Sequence, residues 1–65
     1  MNSLRVLTVD DEPLALRRLE ILLSAIPNVE QVGQAQGVRE ALKKIDELAP
    51  NVVLLDIKID RKSVV

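Results

Sequence analysis

Three aspartates that directly follow aliphatic runs have the clearest potential for chemistry. Asp10 and Asp11 follow Leu-Arg-Val-Leu-Thr-Val at residues 4–9, and Asp56 follows Val-Val-Leu-Leu at residues 52–55. If both runs are buried parallel strands, their carboxyl ends meet at one edge of a sheet, where α/β proteins bind their ligands. The three carboxylates would then converge.

Converging carboxylates require a counter-charge. Two unit charges about 4 Å apart repel by about 4 kcal/mol at an effective dielectric of 20. The sequence contains no His and no Cys, which removes the usual zinc and thiol chemistry, so any metal must be a hard, oxygen-bound ion such as Mg²⁺. A carboxylate beside Mg²⁺ can act as a nucleophile toward phosphorus and form an aspartyl phosphate. The acids therefore predict a Mg²⁺ site that resembles phosphoryl-transfer centres.

The composition is that of one folded domain. Of 65 residues, 48% are hydrophobic, and the formal charge is −1, which argues against disorder. No basic run marks a nucleic-acid surface, and no apolar run reaches the roughly 20 residues that span a bilayer. We therefore expect a soluble, cytoplasmic protein that binds neither nucleic acid nor membrane. Without aromatic residues or disulfides, a monomer should be marginally stable.

An amphipathic helix should follow the acid pair. Asp11 is the expected N-cap, Glu12 places a charge in the first turn, and Pro13 suits the first helical position. Pro27-Asn28 should end the helix. The apolar residues with helical spacing are Leu16, Leu19, Leu22, Leu23 and Ile26.

The rest of the chain repeats the alternation of strand and helix. Residues 29–36 are a more polar strand candidate, as expected of an edge strand. After Gly37, apolar residues with helical spacing predict a second helix that ends before Pro50. The order with the aliphatic run at residues 52–55 is strand, helix, strand, helix, strand, which predicts an α/β fold with a three-stranded parallel sheet.

Two segments carry a resemblance to a known family. They are Asp-Asp-Glu-Pro-Leu-Ala at residues 10–15 and Val-Val-Leu-Leu-Asp-Ile at residues 52–57, and Glu-Ala-Leu at residues 40–42 agrees with them. The chain resembles the receiver domain of two-component response regulators, whose fold is flavodoxin-like (CheY-like). Arg-Arg-Leu at residues 17–19 makes the start most similar to regulators of the LytTR type, which carry a DNA-binding output domain.

The resemblance implies a role for each acid. Asp56 would be the phosphoacceptor, Asp10 and Asp11 would hold Mg²⁺ together with Asp56, and the main-chain carbonyl of Lys58 would be a further metal ligand. A sensor histidine kinase would supply the phosphoryl group. The chain would be a signalling phosphoacceptor rather than an enzyme, and its expected output is regulation of transcription.

The resemblance covers only part of a receiver. Residues 1–59 correspond to its N-terminal half, and residues 60–65 depart from the family pattern because the expected Met-Pro and Gly are missing. The family's last two strands, its switch Thr or Ser and its phosphate-binding Lys have no counterpart. With strand order 2-1-3, the third strand would be an exposed hydrophobic edge, and we expect self-association through it.

Two other interpretations remain open. The chain could be a truncated or engineered receiver fragment that folds by self-association and has no phosphoryl chemistry. It could also be a small acidic Mg²⁺ or Ca²⁺ binder outside signalling, although its acids lack the ligand series of an EF-hand. Phosphorylation of Asp56 in a monomeric chain would separate the receiver from the fragment.

Overall fold

The predicted alternation of strands and helices is present in the computed structural model, which describes residues 3–55. The elements in chain order are β1 (Leu4–Val9), α1 (Pro13–Ser24), β2 (Val29–Ala35), α2 (Val38–Leu48) and β3 (Val52–Leu55). Asp56, Lys58 and the tail of residues 60–65 lie outside the described residues.

The three strands form one parallel sheet in the order β2-β1-β3, which confirms the predicted fold class. The central strand β1 is the most buried of the three, because it has a neighbour on each side. Its pairing with β2 is irregular between Val6 and Leu7, where Gln31 lies opposite Val6 and Gly33 lies opposite Leu7. Its pairing with β3 is regular and ends at Val9 and Leu55.

The two helices cover opposite faces of the sheet. On one face, Leu7 and Val9 of β1 form the core with Ala35 of β2 and Ala41 of α2. On the other face, the Gln34 side chain donates to the main-chain carbonyl of Leu16 in α1, at 3.4 Å. Since successive strand residues point to opposite faces, these contacts place α2 and α1 on different sides.

Gly33 allows α2 to lie close to β2. A Cβ atom at this position would lie 2.8 Å from Cδ1 of Leu48 and 3.3 Å from Cδ1 of Leu7. The Leu48 side chain could shift, but Leu7 is fully buried in the core, where a displaced side chain is harder to accommodate. A glycine in this strand therefore serves a close helix-to-sheet contact.

Helix α1 differs from the prediction at both ends. Its N-cap is Glu12, not Asp11, and no side chain caps it; instead Pro13 begins the helix. The helix ends at Ser24, before Pro27, and the chain turns through Asn28 at a φ of 66°. The carbonyl of Asn28 accepts a hydrogen bond from the N–H of Leu4, so this turn is held against the start of β1.

The apolar stripe of α1 is only partly buried by the described residues. Leu16 and Leu23 are buried, whereas Leu22 and Ile26, which belong to the same predicted stripe, are exposed. Of the two described helices, neither has the length and apolar character needed to cross a bilayer.

Helix α2 ends as predicted, before Pro50, and its start depends on Glu40. Gly37 is the N-cap and has no side chain to offer, so the Glu40 carboxylate accepts the N–H of Gln36 at 2.8 Å. At the other end, Ala49 takes the left-handed conformation and its N–H donates to Ile45. The bond from Gln36 to Glu40 at the start of α2 is a variant of the capping box.

Asn51 aligns β3 with β1. Its Oδ1 atom accepts the N–H of Arg5 at 2.9 Å, and its own N–H donates to the carbonyl of Arg5 at 2.8 Å. The Arg5 guanidinium also donates to the carbonyl of Ala49 at 3.0 Å. The amino-terminal edge of the sheet is therefore held by one asparagine and one arginine.

We expect Glu40 to contribute to acid sensitivity. The N–H of Gln36, with Lys44 and Lys43, holds the pKa of Glu40 below its usual value of 4.5. A carboxyl with a lowered pKa in the folded state stabilises at neutral pH, and this contribution is lost as pH falls through the lowered pKa. Urea unfolding followed by circular dichroism should show a smaller loss of stability below pH ~4.5 in Glu40→Gln than in the unmodified chain.

The matched control is Glu47→Gln, at an exposed position of the same helix. It should retain the full acid-dependent loss. Identical acid profiles for the two variants would contradict the role given to Glu40.

Candidate functional site

The candidate site begins at Asp10, the first residue after β1. Asp10 is only 2% exposed to solvent, which is unusual for a residue with a carboxylate side chain. Its N–H donates to the carbonyl of Ala35 at 3.0 Å, so the backbone remains joined to β2 beyond the end of the strand. Asp10 is therefore fixed at the carboxyl end of the central strand, the edge at which open parallel sheets bind ligands.

The two carboxylate oxygens of Asp10 have different environments. Oδ1 accepts the N–H of Glu12 at 2.9 Å, which holds the side chain against the start of α1. Oδ2 is buried and has no hydrogen-bond partner among the described residues. A buried carboxylate oxygen without a partner costs free energy unless a donor or a cation satisfies it.

A hard divalent cation fits this unsatisfied oxygen. Mg²⁺ is typically bound by one or two carboxylates and retains several other oxygen ligands. Asp10 offers one buried anionic oxygen, and the next residue, Asp11, is exposed at the same turn. The donor set in residues 3–55 therefore fits the beginning of a Mg²⁺ site.

The described residues contain only part of the predicted acid cluster. Asp10 and Asp11 lie between β1 and α1, but no group of three acidic residues able to hold a metal occurs within residues 3–55. Asp56 and Lys58, the other predicted metal ligands, lie outside that range. What the described part shows is that β3 pairs in register with β1 as far as Leu55, which lies opposite Val9.

The carboxylate that holds the turn before α1 belongs to Asp10, not to Asp11. Asp11 was the expected N-cap, but the N-cap is Glu12, which has no side-chain cap, and the N–H of Glu12 donates to Asp10. Both residues are acids, so the sequence alone does not separate their roles. The separation comes from burial, because Asp10 points into the fold and Asp11 is exposed.

Thr8 supports the site from within β1 and was not identified from the sequence. It is fully buried, and its hydroxyl accepts the side-chain amide of Gln31 at 2.7 Å and donates to the carbonyl of Gly33 at 3.5 Å. These bonds connect β1 to β2 two residues before Asp10. The available signal was a hydroxyl residue inside an otherwise aliphatic strand, which must find a partner when buried.

The fold and the site define a flavodoxin-like α/β protein whose ligand edge begins with a buried aspartate. Comparison with known families identifies the class more closely. The response regulator receiver domain matches residues 6–63, which is most of the chain. The chain therefore belongs to the response regulator receiver domain family.

Curated relatives agree with this assignment. The transcriptional regulatory protein BtsR of Salmonella typhi is 43% identical over 60 residues, which cover 92% of this chain and 25% of the relative. The response regulator GacA of Pseudomonas viridiflava is 45% identical over 56 residues, which cover 86% and 26%. A protein-glutamate methylesterase/protein-glutamine glutaminase of Nocardioides is 42% identical over 59 residues, covering 91% and 16%. The chain thus spans about a quarter or less of these relatives.

We predict that Asp10→Asn stabilises the metal-free chain and abolishes its response to Mg²⁺. The amide keeps an oxygen that can accept the N–H of Glu12 and removes a buried negative charge beside Asp11 and Glu12, which should raise the free energy of unfolding by about 1 to 3 kcal/mol. Saturating Mg²⁺ should stabilise the unmodified chain but not the variant. Urea unfolding with EDTA or with Mg²⁺ measures both effects.

Asp46→Asn, at an exposed position of α2, is the control. It should keep the Mg²⁺ response and change the metal-free stability little. A Mg²⁺ response that survives in Asp10→Asn would show that Oδ2 of Asp10 is not a metal ligand.

Proposed function

We propose that this chain is a phosphoacceptor module of two-component signalling, in which Asp56 takes a phosphoryl group while Asp10 and Asp11 hold Mg²⁺. The observation that carries the proposal is the buried oxygen of Asp10 that has no partner at the carboxyl end of the central strand. A main-chain carbonyl at Lys58 would complete the protein ligands. The membership in the receiver family supports the same assignment.

The register of the sheet supports Asp56 as the acceptor. Val9 and Leu55 are paired, and the next residue in each strand's sequence is an aspartate, Asp10 in one case and Asp56 in the other. Parallel strands in register carry the chain toward the same edge of the sheet. This argument favours Asp56 over any acid located on the helices.

The transfer itself exchanges one bond for another. A carboxylate oxygen of Asp56 attacks phosphorus, the bond from phosphorus to the donor nitrogen or oxygen breaks, and the donor leaves with that electron pair. Bound Mg²⁺ supplies neutralisation of charge on the transferring group. The backbone of Asp10 is held by Ala35 and its carboxylate by the N–H of Glu12, so little reorganisation of Asp10 would accompany the binding of Mg²⁺.

The family and the relatives support a proposal for the phosphoryl donor and for the output. We propose a sensor histidine kinase in the cytoplasm as the phosphoryl donor. Transcriptional control through a LytTR-type output domain is the proposed output, since one relative is named a transcriptional regulatory protein. A methylesterase among the relatives shows that an enzyme can share such a segment, so we assign the non-enzymatic role to this segment alone.

A second candidate function is a receiver fragment that associates with itself and lacks phosphoryl chemistry. Leu55 of β3 is 59% exposed, and within residues 3–55 β3 pairs with β1 alone. The α1 residues Leu14, Ile21 and Leu22 are also exposed. The exposed edge of β3 favours association through the third strand, and the exposed residues of α1 add apolar surface that a second copy could cover.

Phosphorylation from a small donor tests the proposed function. The full chain is incubated with acetyl phosphate and Mg²⁺, and its intact mass is measured. We expect a single phosphoryl adduct that requires Mg²⁺, is absent in Asp56→Asn, and is strongly reduced in Asp10→Asn.

Asp46→Asn is again the matched control and should be labelled as fully as the unmodified chain. An equal adduct in Asp56→Asn would refute Asp56 as the acceptor. A chain that takes no phosphoryl group but sediments as a dimer would favour the fragment.

A further inference from the structure

The outer edge of β2 has backbone groups that face away from the sheet. The carbonyl of Ala35 accepts the N–H of Asp10, so the backbone N–H and C=O of Ala35 are directed toward β1. Because the backbone groups of successive strand residues point to opposite sides, those of Gln34 and Gln36 are directed outward. Outward N–H and C=O groups of this kind are the sites at which another strand could add.

Two charged side chains of α2 occupy these outward groups. The Glu40 carboxylate accepts the N–H of Gln36 at 2.8 Å, and the Lys44 ammonium donates to the carbonyl of Gln34. The two side chains also form an ion pair, with 3.4 Å between Nζ of Lys44 and Oε2 of Glu40. We refer to Glu40 and Lys44 as the edge pair.

The edge pair reproduces the pattern of a neighbouring strand. A strand beside β2 would offer an acceptor to one outward N–H and a donor to an outward C=O. The edge pair offers one donor to Gln34 of β2 and one acceptor to Gln36, the residue just after β2, and both are charged, so these hydrogen bonds are of the stronger kind. The ion pair by itself is half-exposed and would contribute little to stability.

We propose that the edge pair blocks the outer edge of β2 from pairing with a second copy of this chain. The edge is self-complementary, because Gln34 presents an N–H and a C=O in the same outward direction, and an antiparallel copy presents the same two groups. A polar cleft of about 630 Å³ runs along this edge between the two helices, and Glu20, Gln31 and Val32 are among its lining residues. The cleft provides space for an added strand once the edge pair is removed.

The proposal distinguishes β2 from β3. At the carboxyl end of the outer edge of β2, the carbonyl of Gln34 and the N–H of Gln36 bond to charged side chains, whereas the described part of β3 is a short aliphatic strand with Leu55 exposed. Association through β3, as in the second candidate function, and association through β2 are therefore separate events. Removal of the edge pair should change association through β2 and leave association through β3 unchanged.

The test compares two double variants of the full chain with the same change in composition. Glu40→Met with Lys44→Met removes the edge pair, and Glu47→Met with Lys43→Met removes one acid and one base from exposed positions of the same helix. Sedimentation equilibrium measures self-association of each. We expect the first to associate at least about tenfold more tightly than the second, a difference of about 1.4 kcal/mol.

Hydrogen exchange resolved by segment locates the contact. In the variant without the edge pair, protection of residues 29–36 should rise with protein concentration, and protection of residues 51–55 should not change relative to the control. Equal association of the two double variants, or new protection confined to residues 51–55, would overturn the proposal. If the double variant is unfolded by circular dichroism, the single variants Lys44→Met and Lys43→Met carry the same comparison with the same criteria.

Discussion

The burial of β1 on both faces and along both edges is the constraint on which the rest of the structure depends. β2 and β3 pair with its two sides, and α1 and α2 cover its two faces. Leu7 and Thr8 are fully buried as a result, and Asp10 follows them into the interior. A carboxylate is therefore buried at the carboxyl end of the central strand, the edge at which open parallel sheets bind ligands.

Each of several polar residues around this core forms a hydrogen bond with a polar group that would otherwise lack a donor or an acceptor in the protein. Gln31 donates to the Thr8 hydroxyl, Glu40 accepts an N–H at the start of α2, and Asn51 accepts an N–H at the amino-terminal edge of the sheet. Oδ2 of Asp10 is the exception among the described residues, because no protein group satisfies it. An exception at the ligand edge of a sheet is better explained by binding than by packing.

Several features of the fold were accessible from the sequence because they depend on local pattern. β1 and the described part of β3 coincide with short runs rich in aliphatic residues, and α2 ends before Pro50 as its pattern indicated. The end of α1 was not accessible. Ile26 continues the apolar pattern, but its N–H turns back to the carbonyl of Leu23 so that Asn28 can reach the start of β1. Contact with a distant strand decided that boundary.

The sequence by itself determined the α/β order, the resemblance to receivers and the position of acids after the aliphatic strands, since these depend on residue type and spacing along the chain. Only the tertiary structure decided that Asp10 is buried while Asp11 is exposed, and that Glu40 and Lys44 reach the backbone of β2. The physical reason is that burial and hydrogen-bond partners depend on which elements meet in space. Asp10 and Asp11 have the same side-chain chemistry and differ only in their burial and in their hydrogen-bond partners.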